Sequence, residues 1–142
     1  MNIFPDGLNQ VLEEKIYIRE DKTSVMDTLA RLEVKVSDTF EEFYKWYAGP
    51  FWEESVPCEL LDLVDEENNI EVYTLICRKE SGFPKQYLVL SETAANAVLV
   101  LDTLTDNIYI VNFEGGDELL LKGELEATWP TFYDFLKAYF NC

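Results

Sequence analysis

The side chains able to carry chemistry in this 142-residue chain are almost all carboxylates: 28 Asp and Glu stand against 11 Lys and Arg, and histidine is absent. Without an imidazole the chain lacks the commonest general base and metal ligand, and the Ser-His-Asp and Cys-His nucleophile systems in their usual form are out of reach. Cys58, Cys77 and Cys142 are too few and too scattered for a paired CxxC zinc site. No GxxxxGK[ST] loop is present to cradle phosphates, and no GxGxxG follows a strand. Paired carboxylates remain, and two acids facing across a cleft, one with a raised pKa, would serve as a carboxylate-based hydrolase. In so acidic a chain, however, neighbours such as Glu53-Glu54 and Glu66-Glu67 arise mostly as solvated surface. Asp65-Glu66-Glu67-Asn68-Asn69 supplies oxygen ligands without the EF-hand spacing or its glycine, and it reads as a helix N-terminus whose acids suit the dipole. We expect no catalytic residue, no metal and no cofactor.

The carboxylates are better suited to recognition. The formal charge is −17, and no Lys or Arg occurs from Gly49 to Cys77 or from Gln86 to Leu121. A field of that sign repels phosphate backbones and anionic lipid and draws in basic surfaces, so a basic protein partner is expected and nucleic acid or membrane is not. Trp46 lies off the apolar stripe of its helix, and Phe51-Trp52 follow a Gly-Pro stop directly before Glu53-Glu54. They read as surface aromatics beside carboxylates, the pattern of a binding hot spot, or as an aromatic lid over the core edge. The candidate partner-binding residues are Trp52, Glu53, Glu54, Asp65, Glu66 and Glu67, with Asp102 and Asp106 at a predicted hairpin.

The elements that must position these residues follow from periodicity. A first helix is expected from Asp6 to Lys15, followed by a strand-like alternation from Lys15 to Arg19; a second starts at Thr23 or Ser24, with Ser24 as cap. The third is the clearest: Ser37 or Asp38 caps it, Asp38 and Glu41 suit a capping box, Phe40, Phe43, Tyr44 and Tyr47 form one stripe, and Gly49-Pro50 stops it. Glu67 to Lys79 fits a buried helix or a strand and leans to helix. The period then changes to two. Gln86 to Glu92, Ala97 to Asp102 and Asn107 to Phe113 read as strands, the last two forming a β-hairpin through Thr103–Asp106, and Glu118 to Lys122 reads as a further strand. A closing helix opens with Thr128 as cap and Pro130 in its first turn, and carries Phe132, Phe135, Leu136, Tyr139 and Phe140.

This order implies an α+β fold, an antiparallel or mixed sheet of about four to six strands with helices packed on one side around one core. No linker or repeat divides it, so residues 1–142 read as a single domain. Three scattered cysteines suggest free thiols in a reducing compartment, the Pro-Asp-Gly turn near the N-terminus suits no export signal, and no apolar run approaches the ~20 residues needed to span a bilayer. A cytoplasmic location is expected.

Three segments then carry a resemblance. Thr28 to Phe51 (TLARLEVKVSDTFEEFYKWYAGPF), Ala97 to Gly115 (AVLVLDTLTDNIYIVNFEG) and Ala127 to Phe140 (ATWPTFYDFLKAYF) are similar in order and pattern to the SUKH superfamily, which takes in a yeast glucan-synthesis regulator and many bacterial immunity proteins. Val36-Ser37 stands at that family's Leu-Pro step, Gly49-Pro50 at its Gly-Gly ending, and Asp102 and Tyr109 at its strand-ending Asp and strand Tyr. The resemblance implies a SUKH-like α+β domain that binds protein and has no catalytic residues to transfer. In bacteria such a domain serves as an antitoxin against a toxin such as a nuclease; the alternative is a regulatory scaffold in cell-wall synthesis or signalling.

Overall fold

In the computed structural model, which describes residues 3–14, 19, 23–51, 59–64, 69–92 and 97–141, Ser37 alone of the caps read at Ser24, Ser37 and Thr128 takes the expected place. Helix α1 is Leu8–Glu14 and α2 is Thr23–Leu32, so Ser24 sits inside the first turn and is not the cap. Helix α3, Asp38–Trp46, opens on Ser37, whose hydroxyl accepts the Phe40 N–H at 3.2 Å. Its other end is held by a cation. The Arg19 Nε donates to the Tyr44 carbonyl at 2.6 Å, its backbone N–H donates to the Trp46 carbonyl at 3.0 Å, and its guanidinium pairs with Asp62, both side chains being buried. A positive charge there complements the helix dipole. Burial pushes the Asp62 carboxyl above the ordinary Asp range despite the pull of Arg19.

Helix α4, Ile70–Glu80, is capped by Asn69, which accepts the Val72 N–H at 2.7 Å. The ambiguous segment is therefore a helix. It is not the buried helix expected, because only Ile70, Thr74 and Cys77 are buried, while Val72, Leu75 and Ile76 are exposed.

The sheet has three antiparallel strands in the order β1 (Tyr87–Val89), β2 (Ala97–Asp102) and β3 (Ile108–Asn112). Leu88 faces Leu101, Val89 faces Val100, and Val100 in turn faces Tyr109. The expected four to six strands are not found among the described residues. The extra pairing is reduced to isolated bridges, Phe51 with Leu60, Asp62 with Asn69 and Ile108 with Trp129. Glu118 to Lys122 is not a strand either: α5 spans Gly116–Leu121. Gly115, at φ 123°, turns the chain, and Asn112 Oδ1 accepts the Glu114 and Gly116 N–H groups at 3.1 Å each, which starts the helix. Helix α6, Phe132–Tyr139, begins three residues later than expected. Thr131, not Thr128, is its cap and accepts the Asp134 N–H at 3.1 Å, because Thr128 and Trp129 are already bonded to the edge of β3 at Ile108.

Helices on one side of the sheet would leave its other face wet, and the strands are too apolar for that. Leu88, Leu90, Leu99, Leu101 and Ile108 point into a large core with α1, α2, α3 and α6, while Val89, Val98, Val100, Tyr109 and Val111 point the other way, against Cys77, Phe83 and Leu120. Both faces are covered, and there are two cores. The expectation of helices on one side is thereby corrected. The larger core is aromatic: Phe40 and Phe132 lie 4.9 Å apart, Phe43 and Phe51 5.1 Å. Phe51 is fully buried, which excludes the surface reading for it and leaves its place in the core. The Tyr139 hydroxyl donates to the Phe51 carbonyl at 3.0 Å and accepts the Leu60 N–H at 3.1 Å, fixing that bridge from below.

Candidate functional site

The hairpin turn between β2 and β3 organises one end of the molecule. Asp102 Oδ1 accepts the Leu104 N–H at 2.9 Å, Gln86 Nε2 reaches both carboxylate oxygens at 3.3 and 3.4 Å, and the Asp106 N–H donates to the Asp102 carbonyl at 2.8 Å. This is the local hydrogen bonding for which Asp is favoured in turns. Asp102 is only 5% exposed. It shapes the candidate surface but does not present its charge there, which corrects its expected place in a charged face.

Asp106 adopts φ 67°, a left-handed conformation that Asp tolerates better than most residues. Its Oδ2 accepts the Phe132 N–H at 3.0 Å, so the hairpin satisfies the first amide of α6. Burial pushes its carboxyl above the ordinary Asp range, against the pull of the Phe132 amide and the Ser37 hydroxyl and with a further push from Asp134.

Beside Asp106 opens a recess of about 720 Å³, walled by Ile3, Asp6, Asp38, Thr39, Thr131 and Tyr133. Each wall has a local cause. Thr39 Oγ1 donates to the Ile3 carbonyl at 2.9 Å and ties the N-terminal segment to α3. Asp38 belongs to the first turn of α3, and Thr131 is the cap of α6, so two helix N-termini and the hairpin turn converge here. Among the described residues the lining carries three carboxylates and no Lys or Arg. Among the described residues no group of His, Cys, Asp and Glu is arranged to hold a metal ion, so these acids are spread around the walls and do not meet at one point. A smaller hollow of about 390 Å³ lies on the other side of Asp106, between Val36 and the exposed Leu104 at the tip of the turn. A third, of about 270 Å³, lies between α2 and α3.

Of the residues predicted from sequence, Asp102 and Asp106 come together in the turn, and only Asp106 reaches the recess. Trp52, Glu53, Glu54, Asp65, Glu66 and Glu67 lie outside the described residues. Trp46, left open between surface and lid, is half exposed, and its indole N–H donates to Glu42 at 2.9 Å. Asp6, Asp38 and Tyr133 escaped the sequence reading: Asp38 had already been accounted for as a capping acid, and nothing local connects Asp6 with a turn so distant in the chain. Of the cysteines, Cys77 is a free, buried thiol, pushed up to about 11 by burial; Cys58 and Cys142 lie outside the described residues. Among the described residues no helix is long and apolar enough to cross a membrane.

No curated protein matches the chain. The family comparison is positive and covers α2 through nearly all of α6, which supply most of both cores and the recess wall other than Ile3 and Asp6. With residues 22–138 matching the family model, the chain belongs to the SMI1 / KNR4 family (SUKH-1).

Proposed function

We propose that this chain is an immunity-type protein-binding module, an antitoxin that occupies the basic surface of a cytoplasmic toxin domain such as a nuclease. The observation that carries the reading is the recess of about 720 Å³ lined by Asp6, Asp38 and Asp106, with no basic side chain among the described residues of its wall. A toxin that acts on nucleic acid must present a positive surface, and an acidic partner competes for it directly. Membership of a family that includes immunity proteins supports the same reading.

The test is co-expression in a bacterial host with the basic C-terminal domain of a secreted toxin encoded beside this gene. Growth should be protected, and the affinity of the purified pair should fall steeply between low and high ionic strength. Unprotected growth would sink the immunity role, and an affinity indifferent to salt would sink its electrostatic basis.

A second reading has one observation in its favour. Trp46 is half exposed beside Glu42, as an aromatic anchor of a regulatory scaffold in cell-wall synthesis or signalling would be. Charge reversal of the acids would leave such a contact intact, whereas Trp46→Ala would weaken it. The hydrolase reading gains little, since Asp106 already spends one carboxylate oxygen on the Phe132 amide.

A further inference from the structure

The three hollows at the hairpin end adjoin one another. The main recess and the hollow under Leu104 share Asp106; that hollow and the one between α2 and α3 share Lys35 and Val36; and the first and third share Asp38. Their shared residues make them neighbours along one stretch of surface, a groove in outline, with Lys35 and Val36 between two of them and Asp38 at the third. Its floor and shoulders are apolar, with Met26, Leu29 and Val34 at one end, Leu104 in the middle and Ile3 and Tyr133 at the other. Leu104 is 75% exposed. Among the described residues along it stand the carboxylates of Asp6, Asp38, Asp106 and Glu41 and the cation of Lys35.

Resting on the reading of the chain as a protein-binding module, we infer that this groove receives an extended segment of the partner in which basic side chains alternate with apolar ones. Charge complementarity selects this occupant. A second copy of the chain would bring −17 against −17. A phosphate would normally favour the N-termini of α3 and α6, but the acidic side chains of Asp38, Asp106 and Asp134 already stand there. A metal ion would need its ligands gathered at one point, and they are not so arranged. Spread carboxylates over an apolar floor fit side chains such as Arg and Lys, whose stems bury along apolar surface while their heads reach for acids.

The probe is a short synthetic peptide alternating Arg with Leu, titrated into the full chain by calorimetry and by amide chemical shifts. An all-Arg peptide of equal length and a Glu-Leu counterpart serve as comparisons. The shifts should cluster on residues 34–38 and 103–106. Asp38→Asn and Leu104→Ser should each weaken binding about tenfold, as loss of one well-placed contact does. Glu118→Gln on α5 makes the same charge change away from the groove and should alter affinity less than about twofold. Unperturbed spectra elsewhere would show that the variants fold. Equal weakening by Asp38→Asn and Glu118→Gln would reduce the effect to general attraction and overturn the groove; all-Arg binding as tight as Arg-Leu would overturn its apolar half. Groove variants that lose the peptide but still protect against the toxin would separate the groove from the immunity role, and failed protection with intact peptide binding would reject only the latter.

Discussion

Asp106 serves two structures whose demands on its proton conflict. As an acceptor for the Phe132 N–H it is best ionised, while its burial beside Asp134 favours the neutral form and wins. Its backbone adds a third demand, a left-handed conformation. Asp106→Ala should therefore lose both the acceptor at α6 and the residue type that tolerates φ 67°, costing about 2 kcal/mol in urea unfolding. Asp106→Asn keeps an oxygen for the amide and tolerates the same backbone, so it should cost well under half of that. Equal losses would show that the α6 contact is not what matters. The pair also separates in pH. A carboxyl raised in the folded state contributes stability that is fully present below its unfolded value of about 4 and is lost as pH rises through the raised folded value. Asp106→Asn should flatten the wild-type slope in that window, measured by denaturant titrations at stepped pH.

At the scale of elements, the sheet is closed at both edges by groups that are not strands. The outer N–H of β1 at Val89 donates to Thr74 Oγ1 on α4 at 2.9 Å, and the outer edge of β3 is met at Ile108 by Thr128 and Trp129. Edges protected in this way resist pairing with other chains. Thr74→Val keeps the shape, removes the acceptor and leaves a buried N–H unpaired, so it should cost about 1–3 kcal/mol, whereas Thr74→Ser should largely spare it. Thermal unfolding of the two variants would decide this. The same edge shows what local pattern can convey. Ser37, the Phe40 stripe and the β2–β3 hairpin were legible because cap, period and turn lie within a few residues of one another. Helix α5 was not: six residues make too few turns to display a period, only Leu120 of its three leucines is buried, and its start depends on Asn112 at the end of the preceding strand. The start of α6 was misread for a related reason, since Thr128 and Thr131 are both acceptable caps and the pairing of Trp129 with Ile108 decides between them. The recess joins Asp6, Asp38, Asp106 and Tyr133 from separate segments, so only its acidity could be read in advance.

For the whole molecule, charge and burial act in the same direction. At −17 the folded chain repels itself, and that repulsion grows as pH rises away from the isoelectric point near 4.1. Asp62 and Asp106, both raised chiefly by burial, add stability below the ordinary Asp range that fades as pH rises through their folded values. Cys77, raised to about 11 by burial, adds a further loss in alkali, beginning where an unfolded thiol ionises at about 8.5. The opposing group is Glu33, lowered by its hydrogen bond with Lys85, whose contribution is present above its unfolded value and lost as pH falls through the folded one. That pair is fully exposed and screened by solvent, so it limits the acid side only weakly. Maximum stability should therefore lie on the acid side of neutrality, at about pH 5 in low salt. Sodium chloride should raise the melting temperature at pH 8 and do so much less at pH 5, because it screens a repulsion that protonation has already relieved. Calorimetric scans at both pH values, with and without salt, test this together. A melting temperature that is highest at pH 8 in low salt, or that falls there as salt is added, would mean that the carboxylates are held mainly by attraction to the few Lys and Arg, and not by the folded chain against their mutual repulsion.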